Sequence, residues 1–410
     1  MKRIVMGVVI TSALGVAAPT LPYNVVNAAV EVPAAVKAPA AAEAATGTEA
    51  TDTAATDVTD AIDAVDTTGD AIQANVNSYI NPRWIDAENL LVTYVTNKGE
   101  KDYIFNTKSK SKTPLLGEDV NEADAVISPD AKKVAYADEN NEVYVADLES
   151  KQTTKVSGDD HAIKSELQWA PAGDKLYYLE GDKTNVVAEL TISTGKIKKI
   201  VNDNVNYKSN LRISNDGVKF LYTVTPEGKI TADSVSEETA DKAANANIKV
   251  DTAGTETQLY VYYNGSSKPE QIAKTKDNKS FADMLPDRTL VYVSTDVENE
   301  EKLPVLKAIT NNGKDTKDLV SDLGIMQSLV TRDGHLVVLA ADQSGKKAIY
   351  EINASTGEKK KLYDADDSIN QLFYSSNGKH LAVSMTGDEG DKVGVLIPGY
   401  NSYSFDDITK

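Results

Sequence analysis

Residues 127–138 read ISPDAKKVAYAD: an apolar residue, a turn rich in Asp, Asn, Pro and Gly, then an apolar strand. The arrangement returns at 84–95 (WIDAENLLVTYV), 169–180 (WAPAGDKLYYLE), 213–224 (ISNDGVKFLYTV), 284–295 (MLPDRTLVYVST), 330–341 (VTRDGHLVVLAA) and 374–385 (YSSNGKHLAVSM). The anchors Trp84, Ile127, Trp169, Ile213, Met284, Val330 and Tyr374 are spaced 43, 42, 44, 71, 46 and 44 residues apart, and 36 residues follow the last. Asp-Gly and Asn-Gly supply positive φ at little steric cost and so join antiparallel strands. Val, Ile, Tyr and Leu at alternate positions bury one face of a pleated strand.

Each unit continues with a second apolar strand, such as EVYVADL, VVAELTI or AIYEIN, then a polar turn and a short outer strand such as QTTKVS, KIKKIV or EKKKLY. An extended piece (EADAV, KSELQ, YKSNLR) precedes each anchor. Four strands per unit at a period of roughly 40–45 residues predict an all-β propeller, because one four-stranded blade cannot hide both faces until neighbours cover them. Helical repeats of similar length are excluded by an apolar period of two rather than 3.6. Seven anchors predict seven blades, with six or eight as alternatives. The first inner strand begins near Ser78 and the last outer strand ends near Thr409, so an exchange of strands between first and last blades is not evident, with a strand added to the last blade by residues 70–78 as the alternative.

The copies resemble the TolB-type β-propeller repeat, whose core runs W-S-P-D-G-K before an apolar strand. Ile127-Ser128-Pro129-Asp130 carries it, as do Trp169-Ala170-Pro171 with Gly173-Asp174-Lys175, and Ser375-Ser376-Asn377-Gly378-Lys379. The resemblance covers residues 78–410. It implies a toroid and leaves function open, since propellers of this type serve many roles. Prolyl oligopeptidase-type enzymes join such a propeller to an α/β-hydrolase domain, but no G-x-S-x-G nucleophile elbow occurs in this sequence.

Composition narrows the rest. The chain has 410 residues, no cysteine, 43 basic and 62 acidic side chains, and a net charge of −19. That excludes disulfide scaffolds, thiolate metal sites and cysteine nucleophiles, and it disfavours nucleic acid as a partner. Lys2 and Arg3, the uncharged run Ile4–Ala18 and the small-residue site Val26-Asn27-Ala28 predict a signal peptide over 1–28. The run is short of the roughly 20 apolar residues of a spanning helix. Residues 29–75 predict a disordered linker: of 31–75, fifteen are Ala, eight are Thr, nine are acidic and none is aromatic. Setting aside the −8 of that stretch and the +2 of the first 30 residues leaves −13 on residues 76–410. The 71-residue gap holds an insertion at 225–257, within which 236–246 has helix-forming composition.

No concentrated catalytic set appears. His161, His335 and His380 are the only histidines, and the latter two follow turn glycines Gly334 and Gly378 as solvated turn positions. The acidic runs at 138–142, 364–367 and 388–391 lack the spacing of a calcium loop. Tyr94, Tyr136, Tyr177, Tyr178, Tyr222 and Tyr292 fall in second strands and read as packing residues; Trp84 and Trp169 share one repeat position and read as blade-to-blade packing. The sequence therefore nominates no catalytic residue, cofactor or metal ligand. It predicts a monomeric exported propeller that is not an enzyme. Its ligand would be a protein, a peptide or a cell-envelope polymer, bound on one face of the disc. The alternative is a hydrolase or lyase acting on an extracellular polymer at the channel mouth.

Overall fold

The computed structural model describes residues 78–408 except 98, 118–123, 233–247, 252, 300, 311–314, 332, 366–367, 375–379, 387–389 and 399–402. The signal peptide (1–28), the linker (29–75) and the helix expected at 236–246 lie outside the described residues.

Seven four-stranded antiparallel blades follow one another along the chain. Blade 1 contains β1 (Ser78–Trp84), β2 (Asn89–Thr96), β3 (Gly99–Asn106) and β4 (Lys112–Pro114). Blade 2 contains β5 (Val126–Ile127), β6 (Lys133–Ala137), β7 (Val143–Asp147) and β8 (Thr153–Lys155). Blade 3 contains β9 (Lys164–Trp169), β10 (Lys175–Glu180), β11 (Val186–Thr191) and β12 (Lys196–Asn202). Blade 4 contains β13 (Lys208–Ile213), β14 (Lys219–Val224), β17 (Gln258–Tyr263) and β18 (Glu270–Ile272), interrupted by a hairpin of β15 (Lys229–Ala232) and β16 (Ile248–Asp251). Blade 5 contains β19 (Asn278–Met284), β20 (Leu290–Thr295), β21 (Val305–Ile309) and β22 (Thr316–Val320). Blade 6 contains β23 (Gly324–Val330), β24 (Leu336–Ala341), β25 (Lys347–Ile352) and β26 (Lys359–Asp364). Blade 7 contains β27 (Ile369–Tyr374), β28 (Leu381–Met385), β29 (Lys392–Pro398) and β30 (Tyr403–Asp407). First strands of consecutive blades touch one another, β9 with β13 and β19 with β23 among them, which makes them the inner strands.

Among the described residues the core is divided into seven apolar clusters, each lying between two neighbouring blades. This explains why second strands are buried on both faces rather than one. Every residue of β14 is buried; Phe220, Tyr222 and Val224 pack on blade 3, whereas Leu221 packs on blade 5. Each such side chain contributes about 1.5–3 kcal/mol on leaving water. Outer strands are covered only in part: β8 is exposed along its length, whereas β22 buries Leu319 and Val320 at its end.

The turn motif has a local cause. Ser214 Oγ donates to Asp216 Oδ1 at 2.6 Å and accepts from Lys219 N–H at 2.9 Å; Ser128 with Asp130, and Thr331 with Asp333, repeat this. A Cβ at Gly334 (φ +96°) would lie 3.0 Å from Pro286 of the preceding blade's turn. The proline and the glycine of the repeat thus fit each other across blades.

Ring closure uses no strand exchange among the described residues. Tyr79 N–H donates to Asp391 O at 2.8 Å, Asp391 N–H donates to Ser78 Oγ at 3.0 Å, and Lys110 pairs with Asp406. Trp84, Leu90 and Phe105 of blade 1 cluster with Ala382, Val393 and Val395 of blade 7.

Candidate functional site

The inner strands carry a repeated bulge three residues before the anchor, seen as register shifts in blades 1, 3, 4 and 5. Asn81, Glu166, Asn210 and Phe281 hold that position with φ of 50°, 51°, 54° and 49°. Left-handed backbone at residues other than glycine is strained and persists only where surroundings over-determine it. Here the next blade does so. Glu166 accepts from Asn210 N–H (2.9 Å) and Leu211 N–H (2.7 Å), and Asn210 Nδ2 donates to Ala282 O (2.8 Å). In blade 6, Gln327 exchanges two hydrogen bonds with Leu372, at 2.8 and 2.6 Å. Arg83 binds Asp102 at 2.7 Å, and Arg212 lies 4.0 Å from Asp283, whose other oxygen accepts from Val330 N–H at 3.2 Å. Burial pushes the Asp283 carboxyl upward in pKa, with Arg212 opposing. Glu166, Asn210, Gln327 and Asp283 thus hold neighbouring blades together, whereas Arg83 pairs with Asp102 inside blade 1.

Three buried lysines stand at the start of inner strands. The side chains of Lys164, Lys208 and Lys279 are 0% exposed. Lys208 Nζ donates to Asn185 O (2.8 Å), Asp203 Oδ1 (2.7 Å) and Val205 O (2.5 Å); Lys164 binds Asn141 O, Ala162 O and Asp160 in the same manner. Burial lowers the pKa of Lys208 and of Lys279, and Asp203 and Asp277 work against it. An ammonium in such a place is tolerated only because carbonyls and a carboxylate replace its water.

Strand polarity defines two faces of the disc. One carries the turns between first and second strands. The other carries the connections between second and third strands and those between blades, and therefore the 225–257 insertion. A recess of about 370 Å³ opens at the foot of that insertion, lined by Pro226, Glu256, Gln258, Tyr260, Gln271 and Lys274 among others. Tyr260 stacks on fully buried Tyr222, with centroids 5.8 Å apart and planes at 6°. The Gln258 amide is fixed on both ends. Its Nε2 donates to Glu256 O and Thr275 O (both 3.2 Å), while its Oε1 accepts from Lys279 Nζ at 3.1 Å. The recess therefore combines a half-buried aromatic ring, two amides, a carboxylate and an ammonium. A second recess of about 280 Å³ on the turn face is lined by Ser128, Asp130, Lys133 and Trp169. Its Ser128 and Asp130 are occupied in the turn, and Trp169 Nε1 donates to Val126 O at 2.9 Å.

The structure disperses the residues weighed from sequence. His161 lies 3.9 Å from Glu142, His335 Nδ1 lies 2.5 Å from Glu351, and the His380 ring packs 5.2 Å from that of Trp84. His380 is thus a seam residue between blades 7 and 1, not a solvated turn position. Asp138 caps its own turn through Asn140 and Glu142 N–H, and Asp364 pairs with Lys361; Asp366, Asp367, Asp388 and Glu389 lie outside the described residues. Tyr136, Tyr177, Tyr178, Tyr222 and Tyr292 are buried packing residues, whereas Tyr94 is only partly buried. Trp84 and Trp169 pack between blades. The Gln258–Tyr260–Gln271 set was missed from sequence. Its one signal was an amide opening the strand QLYVYY directly after the insertion.

No family model matches the chain, and no curated protein matches it by sequence. Solved structures match in fold. An oligogalacturonate lyase from Vibrio parahaemolyticus shares 13% identity at a TM-score of 0.56, over 78% of this chain and 89% of that one. An oligogalacturonate lyase in complex with manganese shares 13% at 0.58, over 79% and 90%. A puromycin-hydrolysing peptidase from Mycobacterium tuberculosis shares 10% at 0.59, over 82% of this chain and 53% of that one. At these identities the likeness shows the fold, a seven-bladed propeller; the TolB-type assignment is not among what it supports. It also corrects the expectation that the chain is not an enzyme, because the three structures just named, which share this ring, are two lyases and a peptidase. A scaffold without a concentrated acid–base set is not an argument against catalysis in this fold.

Proposed function

We propose that the chain is an exported propeller that binds a hydrogen-bond-rich polymer of the cell envelope, a glycan or a peptide, in the recess at the foot of the blade 4 insertion. The observation that carries this reading is the half-buried Tyr260 ring beside Glu256, Gln271 and Lys274 in a recess of about 370 Å³, with Gln258, held by its own hydrogen bonds, shaping the floor. Flat rings and immobilised amides match alternating apolar faces and hydroxyl or amide edges, and pockets of this type orient ligands with few polar groups. Long loops on a rigid scaffold commonly carry recognition. Export is supported by Lys2, Arg3 and the apolar run to Ala18, and the N-terminal residue of the secreted protein tests it. The described residues contain no helix long and apolar enough to cross a membrane.

The test is calorimetric titration of neutral envelope glycans and peptidoglycan fragments into the full chain and into Gln258→Ala and Tyr260→Ala variants. Saturable binding that both substitutions weaken supports the reading; undiminished binding by both variants removes the recess from it.

A second reading, cleavage of an acidic polysaccharide, is favoured by the match to oligogalacturonate lyases over 89–90% of their length. The −13 charge of residues 76–410 repels a polyuronate, which weighs toward the neutral polymer. Incubation with oligogalacturonate, monitored by short-wavelength ultraviolet absorbance of the conjugated carboxylate in an unsaturated product, decides it.

A further inference from the structure

Blade 1 builds an aromatic box that the function above does not use. Its register places Tyr79 opposite Tyr94, Val92 opposite Tyr103, and Phe105 opposite Lys112 on one sheet face. Tyr79 and Tyr94 stack at 4.6 Å and 27°, Tyr103 meets Tyr94 edge-on at 6.0 Å, and Phe105 meets Tyr79 edge-on at 5.5 Å. Lys112 enters from the exposed outer strand, and its Nζ lies 4.2 Å from the Tyr103 centroid, 4.3 Å from Tyr94, 4.8 Å from Tyr79 and 5.8 Å from Phe105. The same ammonium donates to Tyr79 Oη at 2.8 Å. Four rings from three strands around one cation exceed what packing alone requires. Elsewhere among the described residues, aromatic rings meet in pairs or in the chain Tyr177–Phe220–Tyr262, and a lysine lies over no more than one ring.

We propose that this box is a binding site for methylated ammonium groups of the choline class, held closed by the chain's own Lys112. Ring quadrupoles attract any cation within about 6 Å of their faces, and quaternary ammonium is the ligand such cages suit best. A lysine ammonium is strongly hydrated and keeps part of that water. A quaternary ammonium has no N–H to hydrate and offers methyl groups to every ring at once. Lys112 has the advantage of its tether, which supplies an effective concentration in roughly the millimolar range. Its stem rises from an exposed edge strand of three residues, so its ammonium leaves the box at the expense of the Tyr79 hydrogen bond and the ring contacts, with the strand backbone in place. The acidic surface concentrates cations near the box.

The experiment titrates choline, and separately its neutral isostere 3,3-dimethylbutan-1-ol, into the full-length chain and its Lys112→Ala variant, with tyrosine ring-proton shifts as readout. Lys112→Ala should bind choline at least about tenfold more tightly than wild type and prefer it about tenfold over the neutral isostere. Tyr94→Leu and Tyr103→Leu, each on the Lys112→Ala background, should each abolish the shifts; two sites guard against one variant failing to fold. The proposal is overturned if choline binds wild type and Lys112→Ala equally or neither, or if the neutral isostere binds Lys112→Ala as tightly as choline.

Discussion

Gly345 and Gly357 offer a measurement of what one blade-to-blade contact contributes. Both sit in tight turns of blade 6 with left-handed backbone, at φ +85° and +78°. They differ in what lies outside the turn. A Cβ at Gly345 meets nothing within 4 Å, whereas at Gly357 it falls on the carbonyl of Leu319 in blade 5, far inside contact distance. Alanine at either site carries about 1–2 kcal/mol of left-handed strain. A loss of unfolded-chain entropy common to both sites offsets this by about 0.4–1 kcal/mol. Gly357→Ala must in addition push two blades apart, at about 1–3 kcal/mol for overpacking. Gly345→Ala should therefore cost about 1 kcal/mol and Gly357→Ala about 2–4 kcal/mol. The assay is urea unfolding followed by tyrosine and tryptophan fluorescence, with midpoints compared at constant m. Equal losses in the two variants would refute the argument, since the strain they share would then be the whole effect and blade 5 would not press on that turn.

Other outcomes follow from the same reasoning. Lys208→Met should destabilise by about 3–5 kcal/mol, because it leaves Asp203 and two carbonyls without their buried partner. Lys155→Ala, which breaks the solvent-screened pairs with Glu142 and Asp159 on the surface, should leave the unfolding midpoint almost unchanged; chemical denaturation separates the two. Glu166→Ala should cost about 2–4 kcal/mol and speed hydrogen exchange at Asn210 and Leu211, whereas Glu166→Gln keeps one acceptor and loses less. The Asp216 carboxyl is held below its ordinary 3.8, chiefly by the Ser214 hydroxyl. Its depressed folded value means that its contribution is complete above 3.8 and is lost as the pH falls through that lower value. Ser214→Ala should therefore flatten the loss of thermal stability between about pH 4 and pH 2; an unchanged acid limb in a scanning calorimeter would count against the assignment.

How much could be read from the chain alone varied with the range of the interaction. The anchors and second strands were legible because a strand's side-chain period and a turn's φ requirement are local. Trp84 and Trp169 were correctly placed between blades by repeat position alone. Full burial of β14 was less visible, since Phe220 and Leu221 point to different neighbours, and only the presence of two flanking blades hides both. The three buried lysines were hidden for a different reason. Lys164, Lys208 and Lys279 look in sequence like ordinary surface residues beginning a strand, and their acceptors belong to loops 2–23 residues away. His380 was misplaced because the seam with Trp84 joins residues 296 positions apart.

By itself the sequence determined the repeat, the strand order inside each blade and the acidic, cysteine-free surface, all consequences of neighbours within some 45 residues. Tertiary structure decided which polar groups join blades and which come to line a recess. Glu166 and Gln258 are both polar residues on strands, yet one is bound to the next blade's backbone and the other is held at a recess beside Tyr260. That difference depends on how adjacent sheets meet, and the packing of one sheet against the next is encoded in no single segment of chain.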